Sequence, residues 1–231
     1  MILCIESATG VCSVALCDHT GVLALRESGD DRAHSRLLAT FVSEVLTSGG
    51  TRTSLLDAVA VSKGPGSYTG LRIGVSMAKG LAYGGAVPLI SVDTLHSMYF
   101  SLLASRPELV SVEPGTHFIP MIDARRMEVY YSVIDSSGEI VKEAAALVLD
   151  EDSFSDLLGK GKVIFFGNGA DKCRDLFNHP NALFIDHIYP SAAGMCTLAH
   201  KSHKDGLFES VAYFEPYYLK DFLATVPKKM F

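Results

Sequence analysis

The sequence has little positive charge, no long apolar run and no paired cysteine pattern. It contains 20 Lys and Arg against 26 Asp and Glu, which gives a net charge of −6. Since nucleic acids are held mainly by clustered basic side chains, this chain is not expected to bind nucleic acid by itself. No segment approaches the roughly 18 to 20 apolar residues of a spanning helix. The N-terminus also lacks the basic region of a signal peptide, so a cytoplasmic protein without membrane contact is expected.

The remaining composition is that of a folded protein. Hydrophobic residues make up 48% of the chain and charged residues 20%, which excludes a disordered chain. A length of 231 residues is enough for one sizeable core or two smaller ones. The cysteines are odd in number and in a chain too large to need disulfides, so they are expected to be reduced thiols packed as small hydrophobic residues. They are Cys4, Cys12, Cys17, Cys173 and Cys196.

Hydrophobic periodicity predicts an α/β fold. Three short apolar runs separated by turn residues predict an antiparallel meander, and strands then alternate with helices, which predicts a parallel extension of the same sheet. The predicted strands are 2–6, 11–17, 22–27, 55–61 and 88–92, and the predicted helices are 33–47, 70–83 and 94–104.

A second block follows a proline-containing linker at 106–115. Its predicted strands are 117–122, 127–134, 139–149 and 162–167, and its predicted helices are 153–159, 170–177 and 191–204. The chain is therefore divided into an N-terminal lobe, 1–105, and a smaller C-terminal lobe, 106–231, whose terminal segment is a candidate for returning to the first lobe.

The segment from Lys63 to Gly74 is the most informative motif. It lies between a strand and a helix, where free amide groups favour an anion, and its candidates for such a loop are Gly66, Ser67 and Thr69. It matches neither the dinucleotide fingerprint nor the Walker A loop, which needs Gly-Lys-Ser/Thr. A rigid turn with Ser67 or Thr69 as the helix N-cap is the favoured interpretation.

Small residues recur every fourth position along the helix that follows. Gly70, Gly74, Ala78 and Ala82 form one ridge of nearly bare backbone, which permits close approach of another helix from the same chain or from a partner. Glycines in a helix each cost about 1 kcal/mol relative to alanine, so close packing is expected to offset them.

Other candidate sites are weaker. Cys196, His200 and His203 have a spacing that zinc can use on a helix, but a polar helix face explains the histidines equally well. Asp123 follows a predicted strand and is a candidate acid or base, although a salt bridge with Arg125 or Arg126 is favoured. No nucleophile elbow is present. Neither a catalytic residue nor a metal site is therefore predicted.

Several segments together resemble the TsaB family, also called YeaZ. They are ILCIESATGVCSVAL, AHSRLL, KGPGSYTGLRIGVSMAKGLA, MIDARRMEVYYSV, GNGADK and EPYYLK. The resemblance implies an actin-like, sugar-kinase-like fold of two lobes with mixed sheets flanked by helices. It also implies a dimerisation subunit of the bacterial complex that makes threonylcarbamoyladenosine (t6A) at position 37 of tRNA. The implied partners are a TsaD-like catalytic subunit, a TsaE-like ATPase, a second copy when the chain is alone, and tRNA only through the complex.

The resemblance further implies that this chain is not catalytic. The relative TsaD carries a metal-binding histidine pair, and alignment through Val87 and Pro88 places those ligands on Thr94 and Met98, while His96 is out of register. Glu6 stands where most relatives have Asp, which weakens an inherited nucleotide loop. No cofactor is expected in the isolated chain, and ATP and metal are expected on the partner subunits.

In the family, two helices form the surface that pairs with TsaD or with a second copy. Carried onto this sequence, the interface residues are His34, Leu38, Phe41, Gly70, Gly74, Met77, Ala78 and Leu81. Two alternatives remain open at this point: a small-molecule kinase or ATPase of the same fold, and a metallopeptidase.

Overall fold

A five-stranded mixed sheet forms the first lobe in the computed structural model, which describes residues 1–29 and 34–220 and, of residues 34 and 35, the backbone only. Its strands lie in the order β3-β2-β1-β4-β5, with β1 antiparallel to β2 and parallel to β4. They are β1 (Ile2–Glu6), β2 (Cys12–Asp18), β3 (Gly21–Ser28), β4 (Ala58–Gly64) and β5 (Leu89–Asp93), and the helices are α1 (His34–Ser48), α2 (Tyr68–Gly85) and α3 (Thr94–Ser105).

The second lobe repeats this topology. Its sheet has the order β8-β7-β6-β9-β10, again with an antiparallel meander extended by parallel strands. The strands are β6 (His117–Asp123), β7 (Glu128–Asp135), β8 (Ile140–Val148), β9 (Val163–Phe166) and β10 (Ala182–Ile185), and the helices are α4 (Ser155–Leu158) and α5 (Ala192–Lys204). The predicted pair of mixed sheets flanked by helices is thus confirmed.

In the second lobe one prediction is wrong and one strand was not predicted. The helix predicted at 170–177 is a short 3-10 turn, Ala170–Cys173. The four-residue strand β10 had no prediction at all, because it is a short, partly exposed edge strand that pairs with β9 alone and carries no alternation to reveal it.

Helices α3 and α5 lie between the two sheets, and each packs on the sheet of the other lobe. α5 contacts β1 and β2, whereas α3 contacts β6 and β7. The two helices approach closely at Gly194, where a Cβ atom would lie 2.4 Å from the Ser97 carbonyl oxygen, so only glycine fits there. Beyond α5, Glu209 forms an isolated antiparallel bridge with Leu89. The lobes therefore share their central layer.

No helix within residues 1–29 and 34–220 has both the length and the apolar character needed to cross a membrane.

Candidate functional site

The carboxyl ends of three neighbouring strands meet at the cleft between the lobes. β1 ends at Glu6, β4 carries Lys63 near its end, and β5 ends at Asp93. Open α/β sheets bind ligands at such strand ends. A cavity of about 410 Å³ lies there, and its lining is formed by Lys63, Asp93, Glu143, Ala144 and residues 214–217.

Glu6 is completely buried at the edge of this cleft. Its Oε1 atom accepts a 2.6 Å hydrogen bond from the Ala8 amide, while Oε2 has no hydrogen-bond partner among the described residues. Burial, because the charged form loses its water, is the main cause that raises the pKa of Glu6 to about 7, and the nearby Asp93 makes a smaller contribution in the same direction. Asp93 accepts a hydrogen bond from the His96 amide and so caps α3, and burial also raises its pKa.

The lining of the cleft is mainly acidic. Acidic side chains outnumber its single Lys63, since Asp93, Glu143 and Glu215 line it. The chain beyond α5 also crosses it, because the Tyr217 amide donates a 2.7 Å hydrogen bond to the Lys63 carbonyl oxygen. Lys79 on α2 holds the same segment by donating to the carbonyl oxygens of residues 212 and 214. The charge of the lining therefore disfavours a bound anion.

The glycine-rich loop between β4 and α2 makes hydrogen bonds and close contacts within the chain. The Ser67 amide donates a 2.6 Å hydrogen bond to the Ala8 carbonyl oxygen, and Ser67 Oγ accepts from the Gly70 amide as the N-cap of α2. A Cβ atom at Gly66 would lie 2.3 Å from the same Ala8 oxygen, which explains the glycine. The predicted N-cap is confirmed at Ser67. Among the anion-loop candidates, Gly66 and Ser67 are thus engaged in packing and capping, and Thr69 is exposed.

We expect Ser67→Ala to lower the free energy of unfolding by about 1 kcal/mol, the usual loss when a hydroxyl cap is removed. Thr69→Ala is the matched control, since Thr69 is exposed and lies two residues further on, and it should stay within about 0.5 kcal/mol of the wild type. Urea unfolding of the two variants measures the difference. Equal effects would show that Ser67 does not act as the cap.

The small-residue ridge of α2 faces inward. Gly70, Gly74, Ala78 and Ala82 are all buried, and Cβ atoms at the two glycines would lie 2.2 Å from the Ser7 carbonyl oxygen and 2.1 Å from Ser7 Oγ. The ridge packs on the first sheet. Gly70, Gly74 and Ala78, which the resemblance assigns to the partner interface, are therefore covered by the chain itself.

The outer side of α1 and α2 keeps part of the predicted interface. Leu38 is buried in the core of the first lobe and is not available to a partner, and the side chain of His34 lies outside the described residues. Phe41, Met77 and Leu81 are partly buried along the line where the two helices meet. Beside them, Ser76 and Gly80 are exposed. We call Phe41, Ser76, Met77, Gly80 and Leu81, together with the exposed Tyr83 and Gly84, the α1–α2 surface.

The two positions onto which the resemblance places metal ligands, Thr94 and Met98, carry buried side chains. Thr94 and Met98 are fully buried in the first two turns of α3, and neither supplies an imidazole. His96 is partly buried, and its Nε2 atom lies 3.0 Å from the Gly138 carbonyl oxygen. Burial lowers the pKa of His96, which favours the neutral ring in that contact.

The second lobe has a polar cluster around Asp123. The prediction that Asp123 forms a salt bridge with Arg125 or Arg126 is wrong. Asp123 forms a salt bridge with Lys172 at 2.6 Å rather than with either neighbouring arginine side chain. The Arg125 amide donates to the same carboxylate, and the Asp123 amide donates to Asn168 Oδ1. Asp123 is therefore engaged in closing a turn.

Sequence reasoning missed one grouping altogether. Cys4, Cys17 and Cys196 come together between the first sheet and α5, although they are 13 and 179 residues apart in the chain. The sequence indicated the spacing of Cys196 with His200 and His203 on one helix, but no pattern connected Cys196 with the shared face of Cys4 and Cys17 on two adjacent strands.

Comparison with known proteins gives consistent results over almost the whole chain. The matching family model is that of TsaD, tRNA N6-adenosine threonylcarbamoyltransferase, over residues 29–227. The tRNA threonylcarbamoyladenosine biosynthesis protein TsaB of Escherichia coli (strain K12) is 31% identical over 229 residues, which cover 96% of each chain. TsaB of Haemophilus influenzae is 33% identical and covers 95% of this chain and 93% of its own. The solved structure of YeaZ from Pseudomonas aeruginosa superposes with a TM-score of 0.77 at 22% identity, over 94% of this chain and 99% of that one.

Two lobes that repeat one mixed-sheet topology around a central cleft define the actin-like, sugar-kinase-like class of α/β proteins. Within that class the similarity to two TsaB proteins extends over nearly the full length of both partners. The chain belongs to the TsaB family.

Proposed function

We propose that this chain is a subunit of tRNA threonylcarbamoyladenosine biosynthesis that binds a TsaD-like catalytic subunit and has no catalytic site of its own. The near full-length similarity to two proteins named for that pathway is the observation that carries the proposal. The family model of the threonylcarbamoyltransferase also matches most of the chain, so the proposed partner shares its fold.

The chain's own residues support the proposed absence of a catalytic role. Thr94 and Met98 cannot replace a histidine pair, and His96 is held by a backbone carbonyl. The cleft has more acidic than basic groups and is crossed by the segment that contains Tyr217. A kinase would need to hold phosphates there, and a metallopeptidase would need ligands for an activating metal. ATP and metal therefore belong, in this proposal, to the TsaD-like and TsaE-like subunits.

The α1–α2 surface is the proposed docking site. It combines partly exposed apolar side chains with Gly80, at which a Cβ atom would meet nothing within 4 Å. Gly84 is equally open one turn later, and Tyr83 between them is 83% exposed. Among the residues that the structure describes, none packs against these two helical glycines, and a closely approaching partner helix would explain them. The homodimer proposed for the isolated chain uses the same surface.

The proposal places tRNA on the complex and not on this chain. The net charge of −6 offers no basic surface to neutralise phosphates. Contacts to tRNA are therefore assigned to the partner subunits or to a surface that exists only after assembly.

The direct test combines a threonylcarbamoylation assay with a binding measurement. With TsaD-like and TsaE-like proteins of the same organism, tRNA and ATP, we expect modification when the chain is present and little when it is omitted. Tyr83→Glu should weaken association with the TsaD-like protein by about 10-fold or more, as expected when a charge is placed in an apolar contact. Size exclusion and calorimetry measure the association.

Val110→Glu serves as the matched control, because Val110 is 62% exposed in the connection between the lobes and lies off the α1–α2 surface. It should associate like the wild type. Equal binding by both variants would place the docking site elsewhere, whereas modification at full rate without the chain would overturn the proposed function itself.

A further inference from the structure

Three thiols converge in the layer between the first sheet and α5. The sulfur atoms of Cys4, Cys17 and Cys196 all lie within 4.8 Å of one another, and all three residues are buried. The Sγ atoms of Cys4 and Cys17 are 3.6 Å apart. The cysteines are free, and they lie on three different elements, β1, β2 and α5.

The topology of the fold produces this convergence. In the antiparallel β1–β2 pair, Ile2 is opposite Cys17 and Cys4 is opposite Ala15, so both thiols point to the same face of the sheet. α5 covers that face, and Ser13 Oγ accepts a 2.8 Å hydrogen bond from the Ala192 amide at its first turn. Cys196 lies one turn further along the buried side of the helix.

A histidine follows Cys196 at the next turn of α5. His200 is four residues later and therefore on the same side of the helix. Its Nε2 atom is buried and has no hydrogen-bond partner among the described residues. A buried imidazole nitrogen without a partner is unfavourable, and packing of small hydrophobic residues, which explains three buried thiols, does not explain it.

We propose that Cys4, Cys17, Cys196 and His200 bind a Zn²⁺ ion. Three thiolates and one imidazole are a common ligand set for structural zinc. Tetrahedral zinc with Zn–S bonds of about 2.3 Å places its sulfurs about 3.8 Å apart, close to the 3.6 Å between Cys4 and Cys17. His200 lies outside the group of three sulfurs, so as the fourth ligand it would have to turn its imidazole toward them when the ion binds. The thiol protons leave when the ion binds.

Such an ion would join the two lobes. α5 belongs to the second lobe in chain order but packs on β1 and β2 of the first. A metal held by both would fix the helix to the sheet, and its binding would add to the free energy of unfolding. A disulfide between Cys4 and Cys17 is the competing chemistry, and it would leave Cys196 and His200 without a role.

The test uses the full chain, reduced, stripped of metal and titrated with Co²⁺, which reports tetrahedral thiolate ligation by intense visible absorption, followed by competition with Zn²⁺. We expect one equivalent of metal per chain. Cys196→Ser and His200→Ala should each weaken binding by about 100-fold or more, since even residues behind the ligands contribute 10- to 100-fold. Cys173→Ser is the matched control, because Cys173 is a buried free cysteine of the second lobe, and it should bind like the wild type.

Failure of the reduced wild-type chain to bind Co²⁺ or Zn²⁺ overturns the proposal, whatever the variants do. Binding that His200→Ala leaves unchanged overturns the four-ligand site, and an equal loss in Cys173→Ser shows general thiol binding instead. Far-ultraviolet circular dichroism of each variant separates loss of a ligand from loss of the fold. His200→Ala is expected to remain folded because His200 makes no hydrogen bond through Nε2.

Discussion

Gly74→Leu is expected to lower the free energy of unfolding by about 3 kcal/mol, the upper range for forcing atoms into a filled core. A Cβ atom at this position would lie 2.1 Å from Ser7 Oγ and 3.2 Å from Ser7 Cβ. Ser7 cannot move aside easily, because it is fully buried and its hydroxyl donates a 2.9 Å hydrogen bond to the Gly70 carbonyl oxygen. Urea unfolding followed by circular dichroism measures the loss.

Gly80→Leu is the matched control on the same helix. Gly80 is exposed and has open space at its Cβ position, so leucine should raise the stability by about 0.5 to 1 kcal/mol through helix propensity. The two variants also distinguish an effect on folding from an effect on association with a partner, since Gly80 lies on the α1–α2 surface and Gly74 lies beneath it. Similar destabilisation by the two variants would contradict the inward orientation of the Gly74 ridge.

Glu6→Gln should remove a pH dependence of stability worth about 3 kcal/mol. The pKa of Glu6 is about 7 in the folded chain against an ordinary value of 4.5, and each unit corresponds to about 1.4 kcal/mol. Below pH 4.5 the carboxyl is protonated in both states and this contribution is fully present. As the pH rises from 4.5 to about 7, the unfolded chain loses the proton more readily, and the folded state of the wild type is progressively destabilised relative to the variant.

The measurement compares the unfolding free energies of wild type and variant across pH 4 to 8, so that all other titrating groups cancel in the difference. Glu27→Gln is the control, because Glu27 is exposed on β3, and its difference from the wild type should not vary with pH in this way. A Glu6→Gln difference that is constant over the range would show that burial does not perturb this carboxyl.

Much of the fold could be predicted because local patterns determine local structure. Short apolar runs separated by turn residues identified the meander, and the change to helical spacing after Ala33 identified α1. Residue type and position limited the N-cap of α2 to Ser67 or Thr69, and the structure has it at Ser67. The edge strand β10 escaped prediction because four residues with one neighbouring strand carry too little pattern.

The candidate site was less predictable, because spacing identifies residues on one face of an element but not what that face meets. The recurrence of Gly70, Gly74 and Ala78 indicated a ridge of small residues, but this ridge packs against the sheet of the same chain. Phe41, Met77 and Leu81 are partly buried, and this could be recognised only once the packing of the two helices was known.

The amino-acid sequence by itself determined the class of the protein, its family and the identity of residues that cannot act as metal ligands, since these depend on residue type and order along the chain. Tertiary structure decided which surfaces are free and which distant side chains meet. The small-residue ridge of α2 faces the first sheet, whereas a Cβ atom at Gly80 would have open space around it. The segment after α5 crosses the cleft, and Cys4, Cys17 and Cys196 lie close together. Each of these follows from packing between elements far apart in sequence, where no local pattern carries the information.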